Sequence, residues 1–267
     1  MAERRRRLDR ELVARGLFQD VDQAKVAIEE NLILVNGAPA GGVATLVGKG
    51  SPITFQPSGR FVSRGGDKLA GALDDLEVDV AGASCLDAGA GSGGFTDCLL
   101  RNGAHQVVAV DVGYGQFDWR LRTDRRVTLL ERSNIRRFDP AAHGGPYDVV
   151  VTDLSFIGLR QVTAELANAT AVTGSLILMV KPQFEAPRSQ VGPKGIVRDP
   201  QVWLSCMESV VESVKAKGLV TVGAAASQLL GAGGNQEFFI HARRDGLDNS
   251  NAISGAVSRA AGSRVRQ

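Results

Sequence analysis

From residue 83 onward, short apolar runs alternate with amphipathic stretches, and few folds accept that order. The runs predict strands at Ser84–Asp87, Gln106–Asp111, Val127–Leu130, Asp148–Asp153, Ser175–Lys181, Val220–Ala225 and Glu237–Ala242. Helical spacing predicts helices near Phe95–Asn102, Leu159–Ala169 and Gln201–Lys217, with another, Lys68–Leu76, ahead of the first strand. Strands separated by helices predict a Rossmann-like, doubly wound α/β sheet. Ligands of such sheets bind outside the carboxyl ends of the parallel strands, so residues at strand ends carry the functional argument. The longest apolar runs, such as Val107–Val110 and Leu176–Val180, have strand length and fall far short of a membrane span.

Residues 8–59 read as a separate small α+β unit. Leu8, Leu12 and Val13 keep a helical period that Gly16 closes, and Val21, Ala24 and Ile28 make a second short helix. Leu32–Val35 followed by Asn36-Gly37 gives a strand and a tight turn, with further short strands near Thr45–Val47 and Ile53–Phe55. Charge is partitioned in the same way. Residues 1–64 carry ten Lys/Arg against seven Asp/Glu, residues 65–242 sixteen against twenty, and residues 243–267 five against two. Basic ends around a mildly acidic middle suit polyanion contacts at the ends and other work between them. The chain therefore divides into an N-terminal unit 1–59, a linker 60–64, a main domain 65–243 and a basic, flexible tail 244–267. Met1–Arg7 lacks the apolar core of a signal peptide. Cys85, Cys98 and Cys206 lie far apart, with no metal-ligand spacing, so a reducing cytoplasm is expected and a metal site or disulfide is not.

Cys85-Leu86-Asp87-Ala88-Gly89-Ala90-Gly91-Ser92-Gly93-Gly94-Phe95-Thr96 joins the first strand to its helix. Its glycines admit close backbone approach, and a helix N-terminus favours anionic groups. Gly89, Gly91 and Gly94 also satisfy GxGxxG, so a nicotinamide dinucleotide is one candidate ligand. Asp87, two residues before the first glycine, follows a pattern common in methyltransferases, where it serves the amino-acid end of the methyl donor. Asp111 closes the second strand 17 residues after Gly94, where a carboxylate accepts both hydroxyls of a ribose in either ligand class. The candidate cofactor residues are Asp87, Gly89, Gly91, Ser92, Gly93, Gly94, Phe95, Thr96 and Asp111, with Asn134 after the third strand as a border for an adenine.

Four charged residues stand where charge needs a reason: Lys68 at a helix start, Asp153 and Lys181 at the ends of the fourth and fifth strands, and Glu237 opening the last strand. The segments around them, Ser63-Arg64-Gly65-Gly66-Asp67-Lys68-Leu69, Asp111-Val112-Gly113-Tyr114-Gly115-Gln116, Asp153-Leu154-Ser155-Phe156-Ile157, Lys181-Pro182-Gln183-Phe184-Glu185 and Gln190-Val191-Gly192-Pro193-Lys194-Gly195-Ile196-Val197, resemble the TlyA (hemolysin A) family of FtsJ-like 2′-O-methyltransferases. The resemblance covers residues 6–243. It implies a class I methyltransferase fold, S-adenosylmethionine as cofactor, and a catalytic tetrad of Lys68, Asp153, Lys181 and Glu237. It also implies a cytidine 2′-hydroxyl of 23S ribosomal RNA as target and, in longer members, one of 16S as well; the basic N-terminal extension and developed C-terminal tail lean towards the longer type. The N-terminal unit, through Leu8-Asp9, Leu12, Gly16, Ala24, Ile28 and Val35-Asn36-Gly37, resembles the RNA-binding module of a primary rRNA-binding ribosomal protein, tyrosyl-tRNA synthetase and pseudouridine synthases. It departs from that module at Val21-Asp22, where the module usually has Ser-Arg.

The tetrad has a chemical reason. A ribose 2′-hydroxyl must lose its proton to attack a methyl carbon, and a lysine amine accepts a proton only when neutral. Lys181 is the expected base, Lys68 the residue that orients the hydroxyl, and the carboxylates the holders of the lysines. Expected contacts to ribosomal RNA in ribosomal subunits are Arg4, Arg5, Arg6, Arg7, Arg10, Arg15 and Lys25 at the N-terminus, Arg60 and Arg64 in the linker, and Arg120, Arg136 and Arg137 within the densest basic stretch. A nicotinamide oxidoreductase explains the glycine loop and Asp111 but leaves Lys68, Lys181 and Glu237 without a role. A membrane-lytic protein, as the older family name suggests, lacks long apolar segments and an obvious amphipathic array.

Overall fold

The computed structural model describes residues 5–18, 20–29, 32–55 and 60–264, and the chain falls into two compact units, Met1–Ser63 and Arg64–Gln267. The first unit contains β1 (Arg6–Arg7), α1 (Leu8–Ala14), α2 (Val21–Glu29), β2 (Ile33–Val35), β3 (Ala38–Pro39), β4 (Leu46–Val47) and β5 (Ile53–Phe55). Strands β3, β2 and β5 form an antiparallel sheet, and β1 pairs with β4. Asn36 and Gly37 both take positive φ, as a two-residue hairpin between β2 and β3 demands. Leu8, Leu12, Ala24, Ala27, Ile28 and Ile33 make the core of this unit. The pairing of β1 was not expected from two arginines; it runs through backbone groups and leaves both side chains exposed.

The second unit contains α3 (Arg64–Asp75), β6 (Ser84–Ala88), α4 (Gly94–Arg101), β7 (Gln106–Val110), α5 (Trp119–Arg122), β8 (Val127–Leu130), β9 (Tyr147–Thr152), α6 (Thr163–Ala169), β10 (Thr170–Val180), α7 (Pro182–Glu185), α8 (Pro200–Lys215), β11 (Val220–Ala226), β12 (Phe238–Arg243) and α9 (Ala252–Arg264). The seven strands are ordered β11-β12-β10-β9-β6-β7-β8. Strands β6 to β10 run parallel, while β12 is inserted antiparallel between β10 and β11. Alternate residues feed opposite faces of the sheet. Leu86, Val108, Val150, Leu178 and Phe238 pack with α6, α8 and α9, whereas Phe239 meets Phe95 of α4 with ring centroids 6.3 Å apart. Helix α8 begins sharply because Asp199 caps the amide of Gln201 and Pro200 occupies the first turn.

The structure revises several boundaries. Asp111, Asp153, Lys181 and Glu237 lie one residue outside their strands, in the connecting loops. The helix expected over 159–169 starts with a 3-10 turn, and β10 begins at Thr170, with an irregular pairing before Ser175. The largest revision concerns residues 244–267, expected to be a flexible tail. Residues 252–264 form α9, which buries Ile253, Ala256, Val257 and Ala260 in the main core. Their i, i+3, i+4, i+7 spacing is the physical reason. Among the described residues, no helix is long and apolar enough to cross a membrane.

Candidate active site

The parallel strands deliver the predicted residues to one edge of the sheet. Asp153 follows β9, its amide donating to Ala88 O at 3.0 Å, and so stands against the glycine loop. A Cβ at Gly89 would come within 2.7 Å of Asp153 O, and Gly89 has φ +91, so both contact and conformation require glycine there. Lys181 follows β10 and Glu237 precedes β12; because Val180 pairs with Phe238, these two are neighbours at the same edge. Helix α3 supplies Lys68 from the other end of the sequence.

The four residues form two contacts. Lys68 Nζ donates to Glu237 Oε2 at 2.6 Å, both side chains being nearly buried. Breaking a pair of this kind typically costs about 3–5 kcal/mol, because the remaining charge loses its partner. Lys181 Nζ lies 2.6 Å from Asp153 Oδ1, although not along a hydrogen-bond direction. Its directed hydrogen bond goes to Ser155 Oγ at 2.8 Å.

The loop candidates divide into two groups. Gly89, Gly91, Ser92 and Asp111 retain surface, while Asp87, Gly93, Gly94, Phe95 and Thr96 are buried. Asp111 accepts from the amides of Gly91 at 2.8 Å and Gly113 at 2.6 Å, which fixes its carboxylate beside the loop. Asp87, expected at the amino-acid end of the methyl donor, sits deeper than Gly89, Gly91 and Ser92. It is fully buried behind the loop, with Oδ2 accepting from the Thr96 hydroxyl at 2.7 Å and Oδ1 unpartnered. Burial pushes its carboxyl up to about 7. A Cβ at Gly93 would strike Leu121 and Phe117, whereas nothing lies within 4 Å of one at Gly91. Asn134 is exposed and caps a 3-10 turn by accepting from Arg136 N.

Several expected RNA contacts are committed within the protein. Arg7 is doubly bonded to the buried Asp9, and Arg15 joins Glu11 and the carbonyls of Gly48, Lys49 and Ser51. Arg6 also reaches Glu11, and Lys25 pairs with Asp22. Arg120 is held by Asp118, and its neighbours Arg122 and Arg126 by Glu131 and Asp124. Arg64 donates to Leu230 O, and Arg136 to the neutral Gln161. Arg5, Arg10, Arg60 and Arg137 are exposed, and Arg60 stacks over Phe61; Arg4 lies outside the described residues.

Sequence reasoning missed three supports. Glu185, buried after Lys181, accepts from Leu159 N and faces Arg160; burial raises its carboxyl. Gly231 leaves room for the Glu237 carboxylate, which a Cβ would overlap. Asn235 accepts from Val197 N and donates to Gly195 O, pinning the 192–197 loop to the strand that follows Glu237. Gly231 and Asn235 sit in a Gly/Asn-rich turn, a signal that marked a loop without showing what it held.

An α/β sheet with a reversed strand inserted beside β10, a glycine loop facing an acidic strand end, and lysine–carboxylate contacts at the same edge define a Rossmann-like class I methyltransferase. Residues 61–244 match the family described as FtsJ-like methyltransferase. The chain is 44% identical over 261 residues, 96% of its length and 97% of the relative's, to "16S/23S rRNA (cytidine-2'-O)-methyltransferase TlyA" of Mycobacterium tuberculosis. It is 40% identical over 90% of its length and 86% of the relative's to "Putative rRNA methyltransferase YqxC" of Bacillus subtilis. Among solved structures, "Putative hemolysin from Streptococcus thermophilus" superimposes with a TM-score of 0.78 at 34% identity, covering 99% of this chain and 98% of that one. The chain belongs to the TlyA branch of the FtsJ-like methyltransferases.

Proposed function

We propose that this protein transfers a methyl group from S-adenosylmethionine to a ribose 2′-hydroxyl of ribosomal RNA, a cytidine of 23S and also of 16S rRNA, working on ribosomal subunits in the cytoplasm. The observation that carries this reading is the pair of lysine–carboxylate contacts, Lys68–Glu237 and Lys181–Asp153, on adjoining strand ends beside the glycine loop. The name of the Mycobacterium tuberculosis relative supports the substrate and both rRNA targets.

The residues fit the cofactor. Asp111 faces the loop as an acceptor for ribose hydroxyls, the space over Gly91 is open, and the unpartnered Asp87 Oδ1 calls for a donor. Gly89, Gly91, Ser92 and Asp111 would hold S-adenosylmethionine, with Asp87, Gly93, Gly94, Phe95 and Thr96 shaping the loop behind them and Asn134 bordering the adenine. When bound, the cofactor supplies an electrophilic methyl group. Lys181 Nζ takes the proton that leaves the 2′-oxygen as that oxygen gains the methyl. Lys68 orients the hydroxyl, and Asp153 and Glu237 keep both lysines in place. Holding the hydroxyl toward both the base and the methyl group contributes to the rate, since alignment is worth several kcal/mol in such reactions. Arg5, Arg10, Arg60, Arg136 and Arg137 are the cations best placed to meet phosphate, and the exposed ring of Phe156 offers a stacking face beside Lys181.

The test uses purified protein, tritiated S-adenosylmethionine and isolated 30S and 50S subunits. A 2′-O-methyl group blocks alkaline cleavage of the adjoining phosphodiester. Label in alkali-resistant dinucleotides from both subunits is the expected result. Label on bases, or no label in either subunit, overturns the reading.

A further inference from the structure

A lysine amine on a four-carbon stem has many orientations, and a base serves only when its lone pair faces the proton it takes. Asp153 lies 2.6 Å from Lys181 Nζ but off the hydrogen-bond direction, so the carboxylate attracts the amine without aiming it. The aimed contact is the 2.8 Å hydrogen bond to Ser155 Oγ. Ser155 lies in the loop after β9, where it is exposed.

The loop is built to bring Ser155 back to Lys181. Phe156 has φ +65, a left-handed conformation that bulky side chains rarely adopt. Strain of this kind persists only where surrounding contacts impose it, and it gathers at functional sites. Here the ring of Phe156 rests against Phe184, centroids 5.3 Å apart, three residues beyond Lys181. The 153–156 loop and the 181–184 turn are thus tied at Asp153–Lys181, Ser155–Lys181 and Phe156–Phe184.

We infer that Ser155 is a positioning residue for the base: its oxygen accepts one N–H of Lys181, which holds the amine against rotation about its Cε–Nζ bond and limits the directions in which the lone pair can meet the 2′-hydroxyl. This rests on the reading of Lys181 as the base. In the reaction the 2′-oxygen–hydrogen bond breaks, the proton goes to Lys181 Nζ, the 2′-oxygen forms a bond to the methyl carbon, and the methyl–sulfur pair leaves with sulfur. Ser155 exchanges no atom in this step. Its hydroxyl hydrogen is not used in the contact with Lys181 and, because Ser155 is exposed, can be donated to water.

The experiment measures single-turnover methyl transfer to isolated 50S subunits by wild type, Ser155→Ala, Ser155→Thr and Lys181→Ala. Affinities for S-adenosylmethionine and for the subunit are measured alongside. Ser155→Ala is expected to lose at least tenfold in rate with both affinities within twofold of wild type, and Ser155→Thr, which keeps the hydroxyl, to recover to within threefold. Loss below tenfold, parallel loss of affinity, or failure of threonine to rescue overturns the inference. The Lys181→Ala arm keeps the two claims apart. An active Lys181→Ala enzyme sinks the base assignment itself, whereas an inactive one beside a fully active Ser155→Ala enzyme sinks only the role of Ser155.

Discussion

Asp87→Asn separates the cost of the buried carboxylate from its use. Burial moves the Asp87 carboxyl from 3.8 to about 7, so the folded state holds a proton that the unfolded chain releases. A folded value above the unfolded one gives stability that is fully present below about pH 4 and is lost as pH rises through about 7. A shift of roughly three units corresponds to at most about 4 kcal/mol, at about 1.4 kcal/mol per unit. Asparagine keeps an acceptor for the Thr96 hydroxyl but leaves a buried NH2 where Oδ1 is unpartnered, which costs about 1–3 kcal/mol. The variant is therefore expected to match wild type near pH 5 and to exceed it by about 2 kcal/mol near pH 8.5. Urea unfolding of the methyltransferase unit, followed by the fluorescence of the buried Trp203, measures this at the two pH values. A stability difference that is the same at both, within about 0.5 kcal/mol, refutes the argument. The same variant should bind S-adenosylmethionine more weakly, a stability gain taken at the expense of the site.

Asp111→Ala should weaken S-adenosylmethionine binding at least about tenfold by calorimetry, since it removes both an acceptor and the anchor of Gly91 and Gly113; unchanged affinity in a folded variant removes Asp111 from the site. Gly231→Ala should drive Glu237 from its place and lower methyl transfer about 100-fold or more while cofactor binding persists; near-normal turnover means the Lys68–Glu237 contact is dispensable. Truncation after residue 249 should expose the seats of Ile253, Ala256, Val257 and Ala260 and cost several kcal/mol in urea unfolding; an unaltered midpoint would return α9 to the standing of a tail.

Much of the fold was legible because apolar runs with sharp ends are strong signals. Val107–Val110 and Leu176–Val180 stop at charged residues, and those charges mark the edge that carries the candidate site. Three things were not legible. Asp87 and Asp111 look alike as strand-end carboxylates, yet one is sealed behind the loop and the other faces it, a difference set by the path of the loop rather than by local pattern. Lys68 and Glu237 are 169 residues apart, so only family resemblance joined them before the structure did. Helix α9 carried a readable 3–4 spacing that its Ser, Gly and Arg content obscured. Conversely, the pairing of Arg7 with Asp9, Arg120 with Asp118 and Arg126 with Asp124 is so local that it was available in the sequence. Counting basic residues alone does not show which of these cations already have acidic partners.

The account stands on Lys181 as the group that removes the 2′-proton. The most direct measurement is single-turnover methyl transfer to intact ribosomal subunits by Lys181→Arg, with S-adenosylmethionine and subunit affinities measured in the same preparation. Arginine keeps the positive charge beside Asp153 but stays protonated, so the account predicts both ligands bound and transfer reduced by at least about three orders of magnitude. Turnover near that of wild type would show that this position supplies charge alone and would contradict the assignment.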